Sequence, residues 1–481
     1  IIQAAEKMDA GPVWASACFQ MRKCSKSALY RHEVTQAGIQ ALLQAVQHFE
    51  KNDFPNKVES SSLAYTGKWR RRTIENDFKF SWNEPTATIL KKINAADSYP
   101  GAITNILDEE YACFGGVEEK VMKGSPGDIL AIHNESLCIA TSDGALWIQC
   151  LQNNIVNSIK LPSSLALGEK LKDVKEISGE NFIEDNAALS WHDIRYEESN
   201  EVGYLYFNFY NGAMSTSQCN RLRETFISAK ARPTKGIVMM GGEDIWSNGI
   251  HLNLIEAAEN PAKASWENIN AMNDLIREII CTDSHYTISA IQGNAGAGGV
   301  ALALAADKIL AMKGIVFNPH TRNMGLYGSE YWTYLFPRRI GTQRAQQFTE
   351  QCLPWGTDIA LEVKLIDDCL EGPCEIFCQK VRRIAEELTQ LSYFPQLMNA
   401  KRFKRNRDER YKPLQQYRDE EMVQMHLNFY EDNMGFDYKR YCFVHKLNPD
   451  SENTGISEID LFSERRKIWR RRKYDKLYYE V

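Results

Sequence analysis

The hydrophobic pattern divides the chain into two halves of different character. In the second half, short apolar runs lead through small-residue turns into helix-like stretches. Residues 236–240 run through Asn248-Gly249 toward a helix extending through Ala258, and residues 286–291 run through Ala295 to Gly299 into an Ala/Leu-rich helix. Strand-length runs alternating with helices predict an α/β unit. The first half ends in consecutive strand-length runs, residues 127–131 and then 138–148, with an Asp143-Gly144 turn signal. A helix ending near Ala95 precedes them, so a mainly β module is expected there.

The five small residues from Ala295 to Gly299 bring ligand chemistry into view. At the start of a helix the N–H groups lack partners and the dipole is positive, so a small-residue turn lets a ligand reach bare backbone. The spacing is neither the dinucleotide Gly-x-Gly-x-x-Gly pattern nor a P-loop. Close packing alone would explain one such turn. The second, at Trp246-Ser-Asn-Gly249, raises another use: two strand-to-helix turns can aim two amides at one carbonyl oxygen. Downstream, Glu330 stands among Tyr327, Tyr331 and Trp332. Burial among rings raises a carboxyl pKa and suits it to proton transfer. The competing readings are a surface carboxylate or an ion pair with Arg338 or Arg339. His251 and His320 fit a structural role as well as a chemical one.

Together the two turns, with Ala360-x-x-x-x-Leu-Ile-Asp367 behind them, resemble the crotonase (enoyl-CoA hydratase/isomerase) superfamily from about Tyr204 to Leu370. The resemblance implies an acyl-CoA thioester held with its oxygen between the amides of Asn248 and Gly298. It further implies a ββα-superhelix, with Ala213, Met214, Ser247, Gly249 and Gly299 as candidate contacts to coenzyme A. Arg405, in the basic helix-like run Lys401–Arg407, is a candidate to neutralise its phosphates, with a solvated helix face as the rival reading. The two hydratase glutamates of that superfamily fall on Ala301 and Thr321, neither of which titrates near neutral pH. Simple hydration is therefore not expected, and Glu330, Tyr327 and Tyr331 become the candidates for moving a proton.

The segment Met8-Asp-Ala-Gly-Pro-Val13 resembles the stretch of folate-dependent formyltransferases that carries their catalytic aspartate, here Asp9. The ordered series Arg70-Arg-Arg72, Phe80-Ser-Trp82, Ala95 to Gly101 and residues 127–148 is similar to their C-terminal, OB-like β-barrel. The Asn and His that accompany the aspartate would precede Ile1. The chain is accordingly expected to be a piece holding only a remnant of the formyltransferase nucleotide fold, with the 10-formyltetrahydrofolate site largely absent. Both halves together resemble the HypX (HoxX) family of hydrogenase maturation factors. That family resemblance implies formyl transfer from 10-formyltetrahydrofolate to CoA, decarbonylation of formyl-CoA to CO for [NiFe]-hydrogenase, and hydrogenase maturation proteins as partners. Two other readings stay open: a single-site acyl-CoA hydrolase or isomerase, and a non-catalytic CoA-binding accessory protein.

The expected fold class is multi-domain α/β plus β-barrel. Its parts are a remnant at 1–50, the barrel at 51–166, a charged linker at 167–190, the crotonase-like domain at 191–390, a helical region at 391–449 and a tail at 450–481. Composition changes this picture little. The 481 residues are 43% hydrophobic and carry a net charge of −6, against bulk nucleic-acid affinity, although Lys401–Arg407 and Arg465–Lys473 are locally basic. No apolar run is long enough for a membrane helix. Twelve cysteines lie without a paired framework, and the spacing of Cys369, Cys374 and Cys378 fits no common zinc module, so no metal is expected and a reducing cytoplasm is.

Overall fold

The computed structural model describes residues 1–6, 11–51, 73–155, 157–177 and 191–447. Asp9, Arg70 to Arg72, the basic run 465–473 and the expected tail lie outside the described residues. The chain forms two units, Ile1–Asn181 with Asp185–His192, and Phe182–Glu184 with Asp193–Val481.

In the first unit, helix α1 (Thr35–Glu50) packs Ala41 and Ala45 toward Ala15, and Trp14 stacks on Phe49 with ring centroids 4.1 Å apart. Helix α2 (Thr86–Ala96) buries Ile89 and Ile93 against an antiparallel sheet. Its strands are β1 (Ala102–Ile106), β2 (Glu109–Glu119), β3 (Ile129–His133), β4 (Ser136–Ala140), β5 (Ala145–Asn153) and β6 (Leu161–Pro162). They pair in the order β1-β2-β5-β4-β3, with β6 on β5. The loops Leu107-Asp108 and Asn134-Glu135 have positive φ at both residues, the backbone of tight hairpin turns that match strand twist. The start of the expected linker is instead part of this unit. Leu167 and Leu171 are buried in its core, and Ile132 bonds on both sides to the segment at Lys175 and Ile177 (2.9 and 2.8 Å). Charge patterning at 167–177 reports only the exposed face of a segment whose leucines point inward.

The second unit has two sheets. The larger runs β16-β13-β11-β9-β8-β7, from β7 (Ile194–Ser199), β8 (Val202–Phe207), β9 (Gly236–Met239), β11 (Tyr286–Ile291), β13 (Lys308–Met312) and β16 (Asp368–Leu370). All its neighbours are parallel except the β7–β8 hairpin, and β9 is buried along its whole length, as expected where helices cover both faces. The smaller runs β10-β12-β14-β15, from β10 (Ile245–Ser247), β12 (Asn294–Gly296), β14 (Val316–Asn318) and β15 (Trp355–Gly356).

Helix α3 (Thr216–Lys230) begins in a capping box between Ser215 and Gln218. A short α4 (Leu252–Ala257) follows the first glycine turn. Helix α5 (Pro261–Ile280) starts at an Asn260 cap with proline in its first turn. Helix α6 (Gly298–Leu304) follows the second glycine turn, and α7 (Trp332–Ile340) follows Glu330. The last helices among the described residues are α8 (Cys374–Thr389), α9 (Phe394–Tyr411), α10 (Leu414–His426) and α11 (Phe436–Val444). No helix among the described residues is long and apolar enough to cross a membrane.

Parallel register is what creates the site. Because β9 and β11 align in parallel (Gly236 opposite Tyr286, Met239 opposite Ser289), their chains leave the sheet at the same end. The next segments pair in parallel as well, Ile245 with Asn294 and Ser247 with Ala295, which sets the two glycine turns side by side.

A buried polar pair in the first unit offers a test of its packing. Trp147 is fully buried and donates its indole N–H to Glu119, 2.7 Å away and itself 2% exposed. Glu119→Ala leaves that donor without its acceptor and should lower stability by about 1–3 kcal/mol. A urea midpoint unchanged from wild type, followed by tryptophan fluorescence, would contradict this account.

Candidate active site

The two turns meet closely enough that side chains are excluded. A Cβ on Gly299 would collide with the Ser247 carbonyl, one on Gly249 would stand 3.1 Å from the Gly298 nitrogen, and one on Gly296 would stand 2.6 Å from the Asn248 side-chain oxygen. Gly249 has φ +75°, a conformation glycine adopts freely, whereas Ala297, just before α6, is held at φ +46°. Gly298 is the first residue of α6, so its N–H has no partner within the helix and faces the junction of the turns.

The Glu330 carboxyl closes this junction. A Cβ on Gly298 would collide with its Oε1, while its Oε2 accepts the Ser329 amide at 2.9 Å. The residue is 4% exposed, and burial pushes its carboxyl up to about 7. Glu330 and Tyr331 have φ of +63° and +59°, two successive left-handed non-glycine residues. Such backbone costs on the order of 1–3 kcal/mol per residue and persists only where the surroundings hold it. Asn273 of α5 supplies part of that hold, accepting the Glu330 amide (2.8 Å) and donating to the Ser329 hydroxyl (2.8 Å). A buried carboxyl that gains and loses its proton near neutrality, set beside a helix N-terminal amide, suits proton transfer at a polarised carbonyl.

Comparison with known proteins gives the family. Residues 207–453 match the enoyl-CoA hydratase/isomerase family and residues 73–163 the formyl transferase C-terminal domain. The hydrogenase maturation factor HoxX of Bradyrhizobium diazoefficiens is 39% identical over 93% of this chain and 77% of its own. The chain belongs to the HypX/HoxX family of hydrogenase maturation factors. The crystal structure of HypX from Aquifex aeolicus in complex with tetrahydrofolic acid superposes with a TM-score of 0.88 at 40% identity, covering 92% of this chain and 78% of that one. A methionyl-tRNA formyltransferase of Pseudothermotoga lettingae is 27% identical over 32% of this chain and 49% of its own. The expected multi-domain architecture, a formyltransferase C-terminal domain joined to a crotonase-type domain, is therefore present.

Within this HypX-family chain, several expected site residues are engaged elsewhere. The Asn248 amide donates to the Gly212 carbonyl at 2.7 Å, and its side chain donates to the Asn211 carbonyl at 2.8 Å. Of the two expected oxyanion donors, then, only Gly298 is presented without a partner. The Met214 amide donates to Gly249 (2.8 Å) and its carbonyl accepts Asn268 (2.9 Å), so the backbone expected to meet coenzyme A ties the first glycine turn to α5. Ser247 is fully buried, and its hydroxyl lies between the Met214 sulfur (3.1 Å) and the Gly249 amide (3.1 Å). Gly249 and Gly299 act as spacers, and Ala213 stays half-buried at the rim.

The tyrosines also differ from expectation. Tyr331 is fully buried in the main core, and burial pushes its phenol up to about 12, out of range for proton exchange near neutrality. Tyr327 packs on Trp332 (5.6 Å between centroids) and under Arg322 (4.6 Å), within a different apolar cluster. Burial as such, rather than a cage of these rings, raises the Glu330 carboxyl. Neither expected ion pair forms, since Arg338 meets Asp408 and Arg339 meets Asp367 at 2.8 Å.

Arg405 is bound to Glu409 and the Tyr334 hydroxyl, and lines a cavity of about 380 Å³ with Asp307, Arg338 and Lys401. That cavity touches Leu304 and Ala305, at the opposite end of α6 from Gly298. His251 is a cap: its Nδ1 accepts the Leu254 amide at 3.3 Å, and burial pushes its pKa down to about 4, so the ring stays neutral. His320 sits over the glycine turn, its Cε1 3.1 Å from a Cβ placed on Gly296, with Nδ1 3.0 Å from the Asn318 carbonyl. Asn273 and Glu421 carry no motif, and Ser329 draws notice only as a neighbour of Glu330. A buried polar residue inside an apolar helical face, as Asn273 is in α5, is the one available cue.

Two stability predictions follow from this geometry. Gly299→Ala drives a methyl into backbone and should lower the melting temperature of the second unit more than Gly298→Ala, which meets only the movable end of Glu330; equal shifts would refute the packing described. A carboxyl whose folded pKa (about 7) exceeds the 4.5 of a glutamate in the unfolded chain binds more protons folded than unfolded between those values. Its contribution to stability therefore falls as pH rises from about 4.5 to 7. Glu330→Gln should flatten that fall, and parallel melting-temperature profiles for wild type and variant over this range would show the carboxyl to be unperturbed.

Proposed function

We propose that the second unit decarbonylates formyl-CoA to CO and free CoA, as the crotonase-type part of a protein that takes its formyl group from 10-formyltetrahydrofolate and serves [NiFe]-hydrogenase maturation. The observation that carries this reading is the Glu330 carboxyl held over Gly298. The formyl oxygen accepts the Gly298 amide, at the positive end of α6. The Asn248 amide joins as second donor once the thioester oxygen displaces the Gly212 carbonyl. Ionised Glu330 removes the formyl hydrogen as a proton, and that C–H electron pair becomes the carbon lone pair of CO. The C–S bond breaks with its electrons passing to sulfur, and Glu330 returns the proton to the thiolate. One group serves as base and then acid, so a pKa close to the working pH is the useful value.

Ala301 and Thr321, at the positions of the hydratase glutamates, offer no titrating group for water addition. The folate side of the overall reaction belongs with the segment that carries Asp9, the residue at the position of the formyltransferase aspartate. The tetrahydrofolic acid complex of the Aquifex aeolicus relative supports folate as the formyl carrier.

The protein supplied with formyl-CoA, with CO scored by the spectrum of ferrous myoglobin, should release CO. Glu330→Gln should lower that rate by a factor of roughly 100 or more, the usual size of a lost general acid–base group. Near-wild-type release by Glu330→Gln would exclude Glu330 as the proton carrier. Formate in place of CO would instead support an acyl-CoA hydrolase.

A further inference from the structure

Glu421, on α10, is fully buried (0% exposed) and accepts hydrogen bonds from four donors that flank Glu330. The Tyr331 amide reaches its Oε2 at 2.9 Å and the Ser329 hydroxyl reaches the same oxygen at 3.4 Å. The Thr333 amide (2.9 Å) and hydroxyl (2.5 Å) reach Oε1. Tyr331 and Thr333 lie at the start of α7, where amides lack helical partners and the residue before the helix gives no side-chain cap. A carboxylate from a helix some ninety positions away takes the place of that cap.

We propose that Glu421 is a positioning residue for the second unit's reaction, its carboxylate fixing the left-handed turn that carries the Glu330 carboxyl to Gly298. The assignment rests on Glu330 as the proton carrier. Three observations support it. The turn cannot hold itself, because Glu330 and Tyr331 both have positive φ. Its two sides are gripped by different helices, Asn273 of α5 on the Glu330 amide and Glu421 of α10 on the Tyr331 amide. Ser329 links the two carboxyls, donating its amide to Glu330 and its hydroxyl toward Glu421.

The pair is also electrostatically coupled. Burial and the charge of Glu330 both raise the Glu421 carboxyl, and a charge on either discourages ionisation of the other. Cys219 of α3 faces Glu330, and the phenols of Tyr331 and Tyr327 face Glu421; the Tyr331 phenol in turn faces Arg277 of α5 and Arg418 of α10, and Arg418 is paired with Asp274 at 2.5 Å. Neither glutamate has an ion-pair partner among the described residues.

Glu421→Gln keeps the shape of the side chain but turns one acceptor oxygen into a donor facing an amide. With the intact protein and formyl-CoA, kcat for CO release should fall by roughly tenfold or more while KM changes little, because thioester contacts are untouched. The midpoint of the Glu330 protonated-carboxyl infrared band, assigned by its loss in Glu330→Gln, should move to lower pH, because a turn released from Glu421 no longer holds that carboxyl in its buried place. Thr333→Val, which removes one donor and leaves the carboxylate, should move that midpoint less and in the same direction, and serves if Glu421→Gln fails to fold. An unmoved midpoint in both variants, or in Thr333→Val alone if only it folds, would overturn the proposal even if folding is impaired. The infrared reading needs no turnover, so it stays informative if formyl-CoA is not the substrate, whereas a Glu330→Gln variant with full CO release would refute the catalytic reading itself.

Discussion

The active-site geometry depends on one backbone contact, that of Gly299 against the Ser247 carbonyl. Two parallel strands leaving the same sheet can put their following turns in register, but only hydrogen side chains let those turns touch. The hydrogen bonds Met214 to Gly249 and Asn248 to Gly212 then lace a third segment onto the pair. Once the turns are fixed, α6 has one place to begin, and its first amide, on Gly298, opens at the junction. The polar end of a helix is thus exposed by the same small residues that permit the packing.

Against that fixed backbone the site buries the carboxyls of Glu330 and Glu421, an arrangement that works against stability. A buried carboxylate without a cation is costly, and two side by side are costlier. The structure offsets this with donors that carry no charge: one amide for Glu330, and two amides and two hydroxyls for Glu421. Dipoles of that kind hold a carboxyl in place without lowering its pKa as far as an arginine would. The adjacent arginines are occupied elsewhere, Arg338 with Asp408, Arg339 with Asp367 and Arg418 with Asp274. Proton affinity near neutrality is the product of that segregation.

Local pattern was enough for the strands at 236–239 and 286–291 and the helix after Gly298, because each follows from a few consecutive residues, whereas for Glu330 it left burial and surface exposure both open. The residues that escaped are those whose role depends on distant partners. Asn248 looked like a free donor, yet Gly212, 36 positions earlier and in a left-handed conformation, turns its carbonyl onto that amide. Arg405 looked like a phosphate ligand because its run is basic, but the helix rotates it onto Tyr334 and Glu409. Leu167 and Leu171 sit in a polar stretch that reads as linker, and only the core they enter shows otherwise. Glu421 carries no motif, since a carboxylate that caps a helix across ninety residues leaves no spacing to find.

The position of the carboxyl also explains why the chain has no glutamate where a hydratase carries one. A side chain at 301 would hang from the first turn of α6, one turn from the Gly298 amide; here that place holds a buried alanine, and the carboxyl arrives from the turn before α7. Reaching Gly298 from that side requires the left-handed pair Glu330-Tyr331, since an extended or right-handed backbone there would carry the carboxyl elsewhere. It also requires glycine at 298, because any Cβ would stand where Glu330 Oε1 does. Hydration needs two groups to activate and place a water molecule, whereas loss of CO from a formyl thioester needs one group that takes a proton from carbon and gives it to sulfur. A single buried carboxyl, delivered over the helix N-terminus and shielded from water by α5 and α10, is suited to the second task and not to the first.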